Sequence, residues 1–296
     1  MEIILETKNL SKHYGRIKAV DNLNLQIGKG MVFGLLGPNG SGKTTTLGMV
    51  LDVINKTAGN YYWFGEQPTK EHRKRIGAIL ETPVFYPYLS GARNLELVCD
   101  IKGVSYKRIA AVLDQVGLTD RENDKFKTYS LGMKQRLSIA SALLSDPEVM
   151  ILDEPTNGLD PQGIAAIRDL ISQIAATGKT ILLASHLLDE VQKVCSHFAV
   201  LKNGRLIHSG PVAEVGQGQV QVEVMANRDL RELLTALEWV NALRKEGSKY
   251  VATLQDGHTA ADLNTYLYEQ GVLVHHLVTV VKSLEKQFLE ILNQSS

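Results

Sequence analysis

The segment that most constrains this chain is a glycine-rich loop between a predicted strand and a predicted helix. Residues 37–44 read GPNGSGKT and match the phosphate-binding pattern GxxxxGK[ST] at every fixed position. Glycines let successive backbone N–H groups point into one concave site, where the lysine adds positive charge and the threonine hydroxyl can ligate Mg²⁺. The loop therefore predicts a nucleoside triphosphate site, and the alternative is a glycine-rich turn that binds nothing.

The flanking residues supply the order of strand, loop and helix that this pattern requires. Residues 31–36 are nearly all apolar, as in a buried strand, and Leu47, Val50, Leu51 and Ile54 follow at helical spacing. We expect the phosphate loop and the residue after it to contact the nucleotide. These residues are Gly37, Pro38, Asn39, Gly40, Ser41, Gly42, Lys43, Thr44 and Thr45.

The composition of the 296-residue chain limits the partners it can have. Lys+Arg and Asp+Glu both number 32, so the chain lacks the basic excess that is typical of nucleic-acid-binding proteins. No apolar run approaches the roughly 18 residues of a membrane helix, and the N-terminus does not have the pattern of a signal peptide. Cys99 and Cys195 lie far apart in apolar segments, which predicts buried free thiols in a reducing compartment such as the cytoplasm.

The order of predicted elements indicates an α/β fold followed by a smaller unit. Short apolar runs such as residues 148–152 and 180–184 alternate with helical patterns, as in a parallel sheet with crossover helices. A linker-like stretch at 210–218 precedes alternating valines, two further strand patterns and helices. Val281, Leu284, Phe288 and Ile291 predict a final helix.

Two adjacent acids follow the apolar run at 148–152. Asp153 and Glu154 would lie at the carboxyl end of a buried strand, where ligands bind in open α/β sheets. Asp153 is predicted to hold Mg²⁺ through its water shell, and Glu154 to accept a proton from an attacking water. The alternative is a pair of surface acids in a loop.

A predicted helix start at Ser130 carries a weaker signal. Ser130 is a plausible N-cap, and the N–H groups at Gly132 could face a phosphate. Taken alone, an ordinary helix cap is the simpler interpretation.

In combination, these segments resemble the ATP-binding subunit of ABC transporters over about residues 1–212. The matching stretches are the phosphate loop, YSLGMKQR, VMILDEPTNGLD and ASH. The resemblance implies a P-loop NTPase fold with a mixed sheet core, a helical subdomain at about 83–145 and a C-terminal α+β accessory domain at 217–296. It also implies that Tyr14 stacks on adenine, that His186 contacts the γ-phosphate, and that Asp160 joins two active sites. Without it, Tyr14 would be a packing residue and His186 a helix cap.

Two departures from the family pattern indicate one particular branch of the family. Residues 129–133 read YSLGM in place of the usual LSGGQ, and Glu81 stands where the family has a glutamine near the metal. Glu81 would then be a third Mg²⁺ ligand beside Thr44 and Asp153, or else a solvated loop acid. At both positions the sequence resembles the branch of bacitracin-resistance and lantibiotic self-protection exporters.

By this resemblance the chain is an ATPase that powers a separate polytopic permease. Two copies, predicted to form a homodimer, would hold ATP and Mg²⁺ between the phosphate loop of one and Ser130–Gly132 of the other, with Lys43, Glu154 and His186 catalytic. The chain would meet the membrane only through the permease, at the inner face. Phe85, Tyr86 and Tyr88 would receive a helix of the permease, or anchor a loop.

Three other functions fit the sequence less well than transport does. A soluble ABC ATPase not tied to transport typically needs a second cassette or a long coiled-coil insertion, for which the chain has no room. A P-loop GTPase needs the motif [NT]KxD, and residues 55–58 read NKTA. A non-catalytic binding module would not need Lys43, Asp153, Glu154 and His186 together.

Overall fold

The computed structural model describes residues 2–80, 84–213, 220–255 and 257–280. The chain forms two units, residues 1–212 and residues 213–296. The predicted final helix and Glu81 lie outside the described residues, so neither prediction is tested.

The first unit begins with strands and alternates strands with helices from the phosphate loop onward. Its strands are β1 (Ile3–Tyr14), β2 (Ile17–Gly28), β3 (Val32–Leu36), β4 (Ala58–Trp63), β5 (Ile76–Ile79), β6 (Val149–Asp153), β7 (Thr180–Ser185), β8 (His197–Lys202) and β9 (Arg205–Pro211). Its helices are α1 (Lys43–Val50), α2 (Lys70–Lys74), α3 (Gly91–Lys102), α4 (Ile109–Gln115), α5 (Leu131–Leu143), α6 (Pro161–Ala176) and α7 (Leu188–Val194). Single 3₁₀ turns lie at Tyr106–Arg108, Thr119–Arg121 and Phe126–Thr128.

Within the described residues, six strands form a mixed sheet in the order β5-β6-β7-β3-β8-β9. All neighbouring pairs are parallel except β8 and β9, which form an antiparallel hairpin. The central strands β3, β6 and β7 are buried at every residue, as expected for a sheet covered on both faces. The predicted α/β fold with a mixed sheet is confirmed.

A second, antiparallel sheet covers part of the first unit in the order β2-β1-β4. The indole N–H of Trp63, on β4, donates to the Val50 carbonyl at 2.7 Å and so ties this sheet to the end of α1.

Helix α1 is shorter than the apolar spacing predicted. It ends at Val50, Leu51 is its C-cap, and Asp52 takes a left-handed backbone conformation with φ 62°. The chain therefore turns back, and the Ile54 side chain reaches the face of α1 at Gly48 from outside the helix. Ile54 is apolar because it packs against α1 from outside the helix, so its helical spacing does not extend α1 to this residue.

The segment after residue 84 forms a helical layer. Helices α3, α4 and α5 pack around Leu95, Leu113 and Leu137, each fully buried. Ser130 caps α5 by accepting the Met133 N–H at 3.2 Å, as the sequence predicted. Asp160 likewise caps α6 by accepting the Gly163 N–H at 2.7 Å.

The described part of the second unit has the order βαββαβ. It contains β10 (Gln221–Ala226), α8 (Arg231–Thr235), β11 (Val240–Glu246), β12 (Lys249–Leu254), α9 (Ala260–Glu269) and β13 (Val274–Val280). These strands form an antiparallel sheet in the order β11-β12-β10-β13, which is the ferredoxin-like arrangement. The predicted strand of alternating valines is confirmed as β10, which begins one residue after Val220. Strand β11 was not predicted, because four of its seven residues are charged or amide side chains.

Both cysteines are buried free thiols, as predicted. Burial raises the pKa of the Cys195 thiol to about 12, with the nearby Glu190 carboxylate as a second cause. No helix among the described residues has the length and apolar character needed to cross a bilayer.

A carboxylate in the second unit provides a test of its fold. Asp229 accepts hydrogen bonds from the Arg231 N–H at 2.8 Å and the Tyr250 hydroxyl at 2.7 Å, with Lys245 as a third partner, and these lower its pKa to about 2. We expect Tyr250→Phe to raise the pKa of Asp229, because one hydrogen bond to the charged form is lost. Titration of the aspartate carboxyl carbons by ¹³C NMR measures this shift.

The sign of the linked stability change follows from the direction of that shift. A lowered folded-state pKa stabilises the unit above the unfolded-state value of about 3.9, and this contribution is lost as the pH falls towards 2. In Tyr250→Phe the contribution is smaller, and its loss is complete at a higher pH. Asp262 is the internal control, because its lowered pKa depends on Thr259; a shift at Asp262, or none at Asp229, contradicts the assignment.

Candidate functional site

The candidate site lies where three neighbouring parallel strands end. Strand β7 pairs with β3 on one side and with β6 on the other, with Leu36 opposite Ser185 and Asp153 opposite Ala184. The phosphate loop follows β3, Glu154 follows β6, and His186 follows β7. The register therefore brings the three predicted segments to the same edge of the sheet, as the sequence analysis expected.

The phosphate loop is closed by a glycine in a conformation that other residues rarely adopt. Gly42 has φ 107° and forms the N-cap of α1. A Cβ at this position would lie 2.4 Å from the Ala19 carbonyl oxygen. The turn that starts α1 thus depends on the absence of a side chain at Gly42.

Lys43 is held inside the loop. Its side chain is 5% exposed, and its ammonium donates to the Gly37 carbonyl oxygen at 2.7 Å. The same ammonium lies 3.3 Å from Oε1 of Glu154. Positive charge is therefore fixed between the loop carbonyls and the carboxylate that follows β6.

Glu154 also contacts His186, through its other oxygen. Oε2 of Glu154 lies 2.7 Å from Nδ1 of His186. The backbone at Glu154 is left-handed, with φ 47°, while its N–H donates to the Ala184 carbonyl at 2.9 Å. An unfavourable conformation held in place by the neighbouring strand aims this carboxylate at both Lys43 and His186.

Thr44 and Asp153, two of the three residues that the sequence predicted as Mg²⁺ ligands, are hydrogen-bonded to each other. The Thr44 hydroxyl donates to Oδ2 of Asp153 at 2.7 Å, and the Asp153 carboxylate is 3% exposed. Hydroxyl and carboxylate oxygens suit Mg²⁺, so the residues present fit this ion. Among the described residues, no three His, Cys, Asp or Glu side chains cluster as metal ligands.

A cavity of about 480 Å³ opens beside the phosphate loop. Its walls are formed by Ile17, Lys18, Ala19, Asn39, Gly40, Gly42, Lys43, Thr44, Thr45, Glu154 and Asn203. Four of these residues were not predicted from the sequence: Ile17, Lys18 and Ala19 of β2, and Asn203 of the β8–β9 turn. Only the Asn203–Gly204 pair carries a local signal, since Asn-Gly is typical of a tight hairpin turn.

Tyr14 lies beside this cavity but does not form its wall. It is the last residue of β1, is 48% exposed, and pairs across the hairpin with Ile17, which does line the cavity. The Lys12 ammonium lies 4.8 Å from the centre of the Tyr14 ring. An exposed ring next to the cavity is compatible with base stacking.

A buried carboxylate on β2 bonds to an arginine on β9, beside the cavity. Asp21 is 7% exposed and accepts two hydrogen bonds from the Arg205 guanidinium, at 3.0 and 2.8 Å. Arg205, and after it Lys18, hold the pKa of Asp21 below its usual range despite its burial. This contact joins β2 to β9 and so positions Lys18 and Asn203 on the same cavity.

Ser130, Gly132 and Asp160 do not line the cavity. They lie near one another instead: Leu131 packs against Gly158, and Leu159 approaches Gly132. The structure therefore separates the predicted site residues into two groups, one at the phosphate loop and one at the start of α5 and α6.

The phosphate loop at the end of β3, with the acids after β6, defines the class of P-loop nucleotide-binding proteins. Comparison with known proteins agrees, since the ABC transporter family matches residues 20–157. The ATP-binding protein YhcH of Bacillus subtilis is 38% identical over 100% of this chain and 98% of its own length. The bacitracin transport ATP-binding protein BcrA of Enterococcus faecalis is 34% identical over 99% of this chain and 97% of its own.

Solved structures give the same result. The ATP-binding cassette MJ0796, described as a dimer in a post-hydrolysis state with ADP and Pi, is 27% identical and has a TM-score of 0.63. The match covers 71% of this chain and 99% of that one. The chain belongs to the ATP-binding proteins of the ABC transporter family. As a member of that family it is an ATPase that powers transport.

The conformation of Gly42 predicts a sharp effect of adding one methyl group. We expect Gly42→Ala to weaken nucleotide binding by at least about tenfold, because the new Cβ would overlap the Ala19 carbonyl and distort the loop. Titration with a fluorescent ATP analogue measures the affinity. Gly30→Ala is the matched control: its φ is also positive, at 74°, but no atom lies within 4 Å of the new Cβ. Equal losses in the two variants would contradict the argument from overlap.

Proposed function

We propose that this chain hydrolyses Mg²⁺-ATP between two copies of itself and drives a membrane permease that exports a peptide antibiotic. The observation that carries the proposal is the arrangement of Lys43, Glu154 and His186. One carboxylate lies 3.3 Å from a buried ammonium and 2.7 Å from an imidazole, at the mouth of the phosphate loop. These are the groups that phosphoryl transfer to water needs within reach of one another.

Each residue of this group has a chemical role in the proposed reaction. Lys43 and the loop N–H groups bind the β- and γ-phosphates and stabilise the charge that develops on them. Glu154 accepts a proton from the attacking water, and His186 holds the water and the γ-phosphate in line. Thr44 and Asp153 would hold Mg²⁺, which neutralises phosphate charge, with Glu81 as an additional ligand. Tyr14 stacks on the adenine beside the cavity.

The proposed second copy completes the site. Ser130 and Gly132 lie at the start of α5, away from the cavity that contains Lys43. In a head-to-tail dimer these residues would meet the nucleotide bound to the other copy, with Asp160 between the two sites. ATP then contributes contacts to both copies, and its cleavage removes them, which opens the pair.

The proposed cargo follows from similarity. A relative that matches 99% of this chain is named for bacitracin transport, and residues 81 and 129–133 resemble the same branch of exporters. The cargo would then be a peptide antibiotic, a lantibiotic or another amphiphilic compound. The chain would lie in the cytoplasm, at the inner face of the membrane through its permease, with residues 217–296 as an accessory domain. A bacitracin or lantibiotic sensitivity assay in cells with and without the chain tests the cargo.

An exposed loop before α3 is the proposed docking site for the permease. Val84, Tyr86 and Tyr88 are 94%, 53% and 64% exposed. The buried Asn94 side chain fixes the loop by accepting the Tyr86 N–H at 2.8 Å and donating to the Tyr86 carbonyl at 3.1 Å. Phe85 instead packs edge-on against Phe126, with ring centres 5.2 Å apart, so it anchors the loop. The rigid loop presents apolar and aromatic surface that an amphipathic helix of a permease would cover.

The role of Glu154 predicts a specific kinetic result. We expect Glu154→Gln to lower kcat at least about a hundredfold, because an amide cannot accept the proton of water, while ATP binding is retained. Phosphate release measures turnover, and size-exclusion chromatography with ATP should show an accumulated dimer. Glu148→Gln is the control, since Glu148 is an exposed acid paired with Arg75 outside the cavity. Near-normal turnover in Glu154→Gln would remove this residue from the role of base.

The docking loop predicts a separation of coupling from catalysis. We expect Tyr88→Ala to reduce binding to the permease and transport by about tenfold, because exposed aromatic residues often dominate interfaces. The ATPase activity of the isolated chain should not change. Tyr268→Ala is the matched control, since Tyr268 is an exposed tyrosine in the second unit, at 80%. Transport at the wild-type level in Tyr88→Ala would exclude this surface as the docking site.

A further inference from the structure

Outside the predicted site, one carboxylate is buried without a positively charged partner. Glu190, in the first turn of α7, is 2% exposed. Among the described residues no lysine, arginine or histidine forms an ion pair with it; its oxygens accept hydrogen bonds from hydroxyl groups. A buried carboxylate costs free energy, and an apolar residue of similar size would normally be more stable at such a position.

The two hydroxyls come from residues close to the predicted catalytic residues, one in the loop after β6 and one at the end of β7. Oε1 of Glu190 accepts a hydrogen bond from the Thr156 hydroxyl, two residues after Glu154. Oε2 accepts one from the Ser185 hydroxyl at 2.7 Å, one residue before His186. Thr156 and Ser185 are themselves 4% and 0% exposed. Hydrogen bonds to a charged acceptor in a buried site are strong, so this carboxylate fixes the positions of Thr156 and Ser185.

A third hydrogen bond extends the same contact around His186. The Leu187 N–H donates to the Ser185 hydroxyl oxygen at 3.0 Å, so the hydroxyl is bonded on both sides. His186 is therefore flanked by two residues that are fixed by Glu190 and Ser185. The His186 ring projects towards Glu154, and its Nδ1 lies 2.7 Å from Oε2 of that carboxylate.

We propose that Glu190 is a positioning residue for hydrolysis: its carboxylate joins the loop after β6 to the end of β7 and so fixes His186 relative to Glu154. Glu190 does not touch the phosphate loop or the cavity, and it acts through Thr156 and Ser185. The proposal rests on the roles given above to Glu154 and His186. It extends them by explaining why a charged group is buried behind the site.

Two substitutions remove this contact with little change in volume. Glu190→Gln leaves one acceptor oxygen for two hydroxyls, and Thr156→Val removes one donor. We expect each to lower kcat about ten- to a hundredfold while KM for ATP changes less than about twofold, because the misplaced groups act on the reaction rather than on nucleotide binding. The full-length chain, alone or with its permease, is assayed for phosphate release.

Thr7→Val is the matched control for loss of a buried hydroxyl. Thr7 is 2% exposed in β1, and its hydroxyl donates to Leu23 at 3.0 Å and accepts from Leu25 at 2.9 Å, outside the cavity. We expect it to lower the thermal unfolding midpoint without lowering kcat. If Glu190→Gln does not fold, Thr156→Val carries the test. A fall in kcat in Thr7→Val as large as in Thr156→Val would overturn the proposal.

A double-mutant cycle distinguishes positioning from a general structural role. In the His186→Ala background, we expect Glu190→Gln to lower kcat by less than about a further twofold, because the group it positions is gone. An equal fall in both backgrounds, or an unchanged kcat in the single variant, would overturn the proposal. If His186→Ala itself leaves kcat unchanged, the proposed role of His186 fails instead, so the two failures are distinct.

A spectroscopic measurement gives the same answer without turnover. With ¹⁵N-labelled histidine, the His186 ring signals are assigned by their absence in His186→Ala. We expect the Nδ1 signal to move in Glu190→Gln and in Thr156→Val, and to stay in place in Thr7→Val. Unmoved His186 signals in both of the first two variants would show that Glu190 does not set the position of the ring.

Discussion

The candidate site depends on the backbone hydrogen bonds between three parallel strands. Strand β7 lies between β3 and β6, so the ends of all three are separated by about one or two strand spacings of 4.8 Å. The register places Leu36 opposite Ser185 and Asp153 opposite Ala184, which sets the loops that follow at the same level. Contacts of about 3 Å between Lys43, Glu154 and His186 are possible only because the ladder fixes this level. A slip of one residue in any strand would turn the adjacent side chains to the opposite face.

Much of this arrangement was predictable because its signals are local. The phosphate loop and the cap at Ser130 each depend on a few consecutive residues, and both occur as expected. The mixed α/β sheet followed from short apolar runs alternating with helical patterns. The resemblance to a known family added the pairing of these segments, which spacing alone does not determine.

The features that were missed depend on contacts between distant parts of the chain. Ile17 and Asn203 reach the same cavity because Asp21 binds Arg205, 184 residues later. Neither the burial of Asp21 nor this pairing can be inferred from the neighbouring residues. Glu190 is a similar case: in sequence it is one of two adjacent acids at the start of a short helix, and only the packing of α7 against β3 and β7 buries it.

The burial of the two cysteines has a practical consequence for work on this protein. Cys99 is 0% exposed, Cys195 is 7% exposed, and burial raises the pKa of both thiols, so little thiolate is present at neutral pH. Since the thiolate is the species that reacts with maleimides and iodoacetamides, the native cysteines should be almost inert to these reagents. A cysteine introduced at an exposed residue could therefore be labelled selectively in the natural background. Pairs of fluorophores or spin labels attached in this way would report distances during the ATPase cycle.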